Sequence, residues 1–239
     1  MPTMKIPVAP LDSTAPDEVC TDVILLDLIE YTLQSNDKQY QALFYLNRIV
    51  ATITSLLEMR SMLHGERVIV GVIPNGDGCY LILNPRIAGY GPLLALFLRN
   101  FLLFNNRLLN RLFNGVRISV HHGAIIPVGF LGTENFVGEG LNVCARLQHR
   151  TVQNRAPDFY DGDDNYVVVS AQAWAAFEEL FPPGTPDVQA YLKKVRFSHS
   201  REFSVRDKHK QVPSYRARFI DCARLIGSAP PRPKERMAS

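Results

Sequence analysis

The sequence predicts an α+β domain in which helices pack against an antiparallel-rich sheet. Three observations carry that expectation. Short runs rich in β-branched residues recur along the chain, as in Val23-Ile24-Leu25-Leu26 and Val167-Val168-Val169. Two such runs, 68–72 and 79–83, flank the turn sequence Pro74-Asn75-Gly76-Asp77-Gly78, which favours a hairpin. Between runs lie two long segments with helical character, 37–60 and 92–113.

Taken in order, 1–20 reads as an N-terminal arm, 21–226 as the domain and 227–239 as a proline-rich flexible tail. A strand over 21–28 leads to the first long helix, whose apolar positions are Leu43, Leu46, Val50, Ile53, Leu56 and Leu57. After the hairpin and the second helix come two strands, 116–122 and 124–131, divided at Gly123. A helix over 138–153 follows. Tyr166 to Ser170 reads as a strand whose last residue caps a helix over 171–180. Strands at 203–206 and 214–219 close the sheet. The acidic stretch 156–165 carries Asp161, Asp163 and Asp164 but lacks the closing Glu of a calcium loop, so it reads as a solvated loop.

With 239 residues, 46% hydrophobic and 21% charged, the chain has material for one well-buried core. A net charge of +3 is too mild to mark a nucleic-acid binder. The four cysteines are scattered without C-x-x-C spacing, and Cys79 and Cys144 sit in apolar surroundings, which suits a reducing, cytoplasmic setting. No basic flank with an apolar segment marks a signal peptide. The stretch 93–104, interrupted by Arg99 and Asn100, is too polar for a membrane span and suits core or dimer packing. Trp174 reads as core, and the adjacent His121 and His122 lack a second ligand set for a metal role.

Two carboxylates stand out. Asp27 ends the first apolar run, and Asp77 lies between glycines at the hairpin tip. A helix N-cap and an ordinary turn residue would explain each alone. Together they could hold a hard cation beside phosphate oxygens. A third feature is Gly138-Glu139-Gly140-Leu141-Asn142-Val143-Cys144-Ala145-Arg146-Leu147, which sets Asn142 and Arg146 four apart on one helical face. An amide and a guanidinium fork there could reach one ligand, and a surface pair on an amphipathic helix is the plainer reading.

That segment resembles the G-D-x-V-N-x-x-x-R-L signature of the class III nucleotidyl cyclases. The other pieces fall in that family's order. The run 23–32 is similar to its D-x-x-G-F-T strand end, and Gly76-Asp77 to its hairpin carboxylate. The segment 116–123 resembles its R-I-G-I-H-T-G strand, and 167–170 its late I-x-V-S strand. The resemblance spans about 21–219 and implies a cyclase-like, ferredoxin-like palm. It implies that Asp27 and Asp77, with the carbonyl of Leu28, bind two divalent cations, Mn²⁺ or Mg²⁺. The backbone from Leu28 through Tyr31 and Thr32 would cradle a triphosphate, Asn142 would orient the ribose, and Arg146 would stabilise the transferring phosphoryl group. A late phosphate-holding Lys of the family falls at Arg206 by counting back from Tyr215, with Lys208 as the alternative. The family's sites lie between protomers, so a head-to-tail homodimer is implied.

The pattern breaks at the base-reading places. Adenylate cyclases carry Lys three before the hairpin Gly and Asp or Thr three before the helix Gly, and guanylate cyclases carry Glu and Cys. Here Ile73 and Asn135 stand there. Ile73 offers no hydrogen bond, while Asn135 has both donor and acceptor and could read uracil or cytosine. Glu30 also stands where the family has a small Gly. These departures resemble the pyrimidine cyclases of bacterial anti-phage defence (Pycsar), whose product signals to a separate effector. The expectation is a uridylate cyclase making cUMP from UTP, the alternatives being a CTP cyclase, an adenylate cyclase and an inactive cyclase-homology domain that only binds.

Overall fold

A computed structural model describes residues 17–59, 67–109, 111–130, 133–148, 165–205 and 215–222. In chain order these form β1 (Val19–Leu28), α1 (Asn36–Met59), β2 (Ile69–Asn75), β3 (Gly78–Leu83), α2 (Gly91–Leu108), β4 (Val116–Phe130), β5 (Thr133–Val137) and α3 (Glu139–Leu147). Then follow β6 (Tyr166–Ser170), α4 (Ala171–Leu180), α5 (Pro186–Lys194), β7 (Phe197–His199), β8 (Phe203–Val205) and β9 (Tyr215–Cys222). One nine-stranded sheet runs β2-β3-β1-β4-β6-β9-β7, with β5 added to β4 and β8 to β9. Among the described residues β4 and β6 pair in parallel and every other pairing is antiparallel. The α+β expectation holds.

Strand alternation divides the sheet into two faces. Ile24, Leu26 and Leu28 of β1 join Leu81, Leu83, Ile118, Val120, Val167 and Val169 in the main core, which α1, α2 and α4 cover. The intervening residues Val23 and Leu25 turn to the other face, with Ile82, Ile125, Phe136 and Cys144. There α3 lies on β1 and β4. Both faces of β1 are therefore dry, which is why its sequence is a continuous apolar run rather than an alternating one. Asp27, next in the odd series after Leu25, belongs to the α3 face.

Buried polar groups fix how helices meet strands. The Asp22 carboxylate accepts the N–H groups of Gly89 and Gly91 at 2.7 Å each, tying β1 to the start of α2, and its other oxygen lies 2.9 Å from His122 Nδ1. The Ser119 hydroxyl donates to the Cys144 carbonyl at 2.7 Å, joining β4 to α3. His121 is buried and bonds Ser170, whose Oγ also caps α4 by accepting from Ala173 N–H. Cys79 and Cys144 are core residues and all four cysteines are free thiols; Trp174 is buried, with Arg218 above its ring.

Several boundaries differ from the sequence reading. The strands expected on either side of Gly123 are one continuous β4. Gly123 is no breaker here: a Cβ would fall 2.6 Å from His121 Nε2, so the glycine makes room for that ring. The second helix stops at Leu108 rather than 113, because Asn106 bonds both the N–H and the carbonyl of Phe113 and Arg111 turns left-handed at φ 58°. The apolar stretch from Leu93 to Leu102 is core. On α1 the buried stripe is Ala42, Leu46, Ile49 and Ile53, leaving Leu43 and Leu56 exposed. The third helix is described to Leu147, with Gln148 as its C-cap. The short β5, α5 and β7 had no counterpart in the sequence reading. The proposed tail, most of the proposed arm, the acidic loop before Asn165, Arg206 and Lys208 lie outside the described residues. No described helix is long and apolar enough to cross a membrane.

Candidate active site

The carboxylates that sequence spacing singled out come together at one end of the sheet. β1 and β3 pair with Asp27 opposite Gly78, and the Leu28 N–H donates to the Asp77 carbonyl at 3.0 Å. Two glycines permit this. Gly76 takes φ 59° in the two-residue turn, and a Cβ on Gly78 would lie 1.8 Å from the Leu26 carbonyl oxygen, so no other residue fits there without moving β1. The hairpin therefore holds Asp77 against the end of β1.

The Asp77 carboxylate lies near enough to Asp27 to act on its ionisation. Burial, with the Asp77 carboxylate and its hydrogen bond acting in the same direction, pushes the Asp27 carboxyl up to about 7, against the pull of Arg117. Arg117 Nη1 lies 3.9 Å from Asp27 Oδ2, facing it across the β1–β4 pairing. A divalent cation would relieve the same repulsion far better. Paired carboxylates are the ligand type that Mg²⁺ or Mn²⁺ takes, although among the described residues no group of three or more His, Cys, Asp or Glu could hold a metal ion.

Beyond Leu28 the chain bends sharply. Glu30 adopts φ 57°, a conformation glycine takes freely and other residues take at a cost, and Tyr31–Leu33 follows as a single 3-10 turn. Ile29 N–H donates to the Gly115 carbonyl at 2.9 Å, and Asn114 Nδ2 donates to the Glu30 carboxylate, which hold the bend. Tyr31 and Thr32 thus sit on a short, tied loop just past the acid pair.

Asn142 and Arg146 are one turn apart on α3, as their spacing required. Asn142 is exposed. Arg146 Nη1 donates to the Tyr215 hydroxyl at 2.5 Å, with the guanidinium 5.8 Å from that ring's centroid. Gln148 is a link that sequence reading missed. Its amide donates to the carbonyls of Leu25 at 2.8 Å and Arg117 at 3.2 Å, so the end of α3 is fastened to both strands that carry the acid–arginine group. Gln148 had no sequence signal, and Tyr215 served there only as a counting point, with no sign of its bond to Arg146. The role of Arg117 was hidden as well, because it faces Asp27 only once β1 and β4 are paired.

The two base-reading candidates are placed differently. Ile73 is half-buried on β2 and packs against the cluster of Phe136. Asn135 stands beside Phe136 on β5, alternate to it, and its Oδ1 accepts the Phe136 N–H at 2.8 Å. One of the two lone pairs of that acceptor is thus engaged within the chain.

The solved structures similar to this chain share its architecture. The catalytic core of a rhodopsin-guanylyl cyclase with converted specificity, in complex with ATPalphaS, is 11% identical over 87% of this chain and 99% of its own, with a TM-score of 0.52. A bacterial light-regulated adenylyl cyclase is 13% identical over 87% and 92%, with a TM-score of 0.51. A guanylyl cyclase is 13% identical over 87% and 95%, with a TM-score of 0.50. The fold is that of a class III nucleotidyl cyclase catalytic domain. At these identities the likeness is one of fold. No protein-family model matches the sequence, and no curated protein does. On the cyclase fold, the acid pair occupies the β1 end and the β2–β3 tip, with α3 on the same sheet face.

Proposed function

We propose that this protein is a nucleotidyl cyclase that converts a pyrimidine nucleoside triphosphate, UTP first, to the 3′,5′-cyclic monophosphate and pyrophosphate. The observation that carries the reading is the Asp27–Asp77 pair, drawn together at the strand end with Arg117 beside it. The cyclase fold and the presence of Asn142 and Arg146 on α3 support it. All four chemical side chains remain, which favours an active enzyme over an inactive binding domain.

Asp27 and Asp77 would hold two divalent cations with the Leu28 carbonyl. When bound, the cations lower the pKa of the ribose 3′-hydroxyl and neutralise the leaving pyrophosphate. Arg117 would add positive charge where the triphosphate lies, and the backbone of the tied loop at Tyr31 and Thr32 would cradle it. Asn142 would orient the ribose so that its 3′-oxygen lines up with the α-phosphorus. Arg146, held in place by Tyr215, would stabilise charge developing on the transferring group. The 3′-oxygen bonds to phosphorus, the bond to the pyrophosphate oxygen breaks, and the 3′ proton leaves to water. Asn142 and Arg146 would serve the acid pair of a partner protomer, which makes the working unit a head-to-tail homodimer. Arg206 or Lys208 would add a phosphate contact.

Ile73 supports a base other than adenine, since it offers no hydrogen bond to a purine edge, while Asn135 carries the donor and acceptor that could read uracil or cytosine. The similar solved structures are adenylyl and guanylyl cyclases, so ATP and GTP belong in the test. A role in anti-phage signalling through a cyclic-nucleotide-sensing effector rests on the resemblance to pyrimidine cyclases. Incubating purified protein with each ribonucleoside triphosphate and Mn²⁺, then identifying products by mass, tests the reading. A cyclic pyrimidine nucleotide that disappears in Asp27→Ala is the expected result. Cyclic AMP as main product would overturn the base assignment, and no cyclic product from any nucleotide would overturn the activity.

A further inference from the structure

Glu30 stands at the bend between β1 and the Tyr31–Leu33 turn, with φ 57° and ψ 25°. Glycine takes that conformation freely and a glutamate takes it at a cost, so the residue is explained by its side chain rather than its backbone. The carboxylate accepts from Asn114 Nδ2. That amide cannot be turned over, because its oxygen would then face the carboxylate, acceptor against acceptor.

Asn114 is exposed, but its neighbours are anchored. Leu112, Phe113 and Val116 are buried. Asn106 bonds both the N–H and the carbonyl of Phe113, and Asn165 Oδ1 accepts the Val116 N–H at 2.7 Å. Gly115 is packed so closely that a Cβ would lie 2.4 Å from Asn165 Oδ1 and 2.8 Å from Ile29 Cδ1. Ile29 N–H in turn donates to the Gly115 carbonyl. One anchored segment therefore holds the bend twice, through the backbone of Ile29 and through the side chain of Glu30. Only the second tie involves a charge.

Given the cyclase reading above, we infer that Asn114 and Glu30 are positioning residues for the triphosphate: the Asn114 amide holds the Glu30 carboxylate off the loop that would cradle the phosphates. Glu30 adjoins Tyr31 and Thr32, so a released carboxylate can swing toward the phosphate oxygens, where like charges repel. At the screening typical near a protein surface, like charges several ångströms apart correspond to about tenfold or more in affinity. Salt weakens that repulsion, whereas it does not restore lost packing.

Inorganic triphosphate with Mn²⁺ probes the loop without the base. Calorimetry in low and high salt on wild type, Asn114→Ala, Glu30→Gln and the double variant closes a cycle. Asn114→Ala should bind about tenfold more weakly than wild type, with the deficit shrinking in high salt. Glu30→Gln keeps an acceptor for Asn114 and drops the charge, so adding Asn114→Ala to it should weaken binding by less than about twofold. A bond that merely braces the bend would be missed equally in either background. Asn114→Ser, which withdraws the amide but keeps a polar surface, should repeat both results. Wild-type affinity retained in Asn114→Ala and Asn114→Ser, or an equal loss in the Glu30→Gln background, would overturn the inference. The expected pattern with no cyclic product from any of the four ribonucleoside triphosphates would overturn the cyclase reading instead. A wild type that binds no triphosphate would overturn both.

Discussion

Asp27 bears two conflicting demands, being buried enough to resist ionisation and close enough to Asp77 to need a counter-charge. With Asp27 raised to about 7 by burial and by Asp77, a divalent cation beside it would favour its ionised form. Mn²⁺ is therefore expected to raise the melting temperature of wild type and to leave that of Asp27→Ala unchanged, as read by a thermal shift titration. Asp77→Ala should abolish product while size-exclusion chromatography shows an unaltered assembly state. His121 gives a separate pH effect. Burial, aided by the neighbouring His122, lowers its imidazole from 6.5 to about 4. A base whose folded pKa is depressed resists protonation, so the unfolded chain takes up the proton first. Stability should then be complete above about 6.5 and fall as pH drops towards 4. His121→Gln should flatten that decline in acid melts. Asp27 and Asp77 were legible because each ends a strand or sits at a glycine turn. Arg117 was hidden because its meaning lies in which strand β4 pairs with, and one sequence does not state its pairings.

The elements that place the site are β1, the β2–β3 hairpin and α3. The hairpin and the strand β6 with its capped helix were readable, since glycine turns and N-caps are local chemistry. β5, with the polar sequence Thr133-Glu134-Asn135, and the three-residue β7 carry no periodicity long enough to register. Gly123 misled for a physical reason: a glycine that admits a neighbouring ring reads like one that makes a turn. The fastening of α3 depends on Gln148, which spans the carbonyls of Leu25 and Arg117. Gln148→Leu removes both bonds and should cost about 1–3 kcal/mol in denaturant unfolding. It should also lower kcat more than it weakens nucleotide binding, because it loosens the strand ends under Asp27 and Arg117. In the core, Leu26 is fully buried, and Leu26→Ala should destabilise by about 2–5 kcal/mol.

At the scale of the whole molecule, Asp27 and Asp77 lie at the strand end while Asn142 and Arg146 lie on α3, which packs on β1 and β4. The sequence order of the motifs pointed to this fold. The division into two half-sites comes from the dimer that the cyclase reading requires. In a head-to-tail dimer, the acid pair of one protomer works with Asn142 and Arg146 of the other. Co-expressing Asp27→Ala and Arg146→Ala chains with different tags, then measuring cyclic product from the mixed population, tests this most directly. Half of randomly paired dimers are mixed and each holds one intact site of two, so about a quarter of wild-type turnover is expected from two inactive parents. A mixed population as inactive as either parent, with mixed dimers verified by tandem purification, would contradict it.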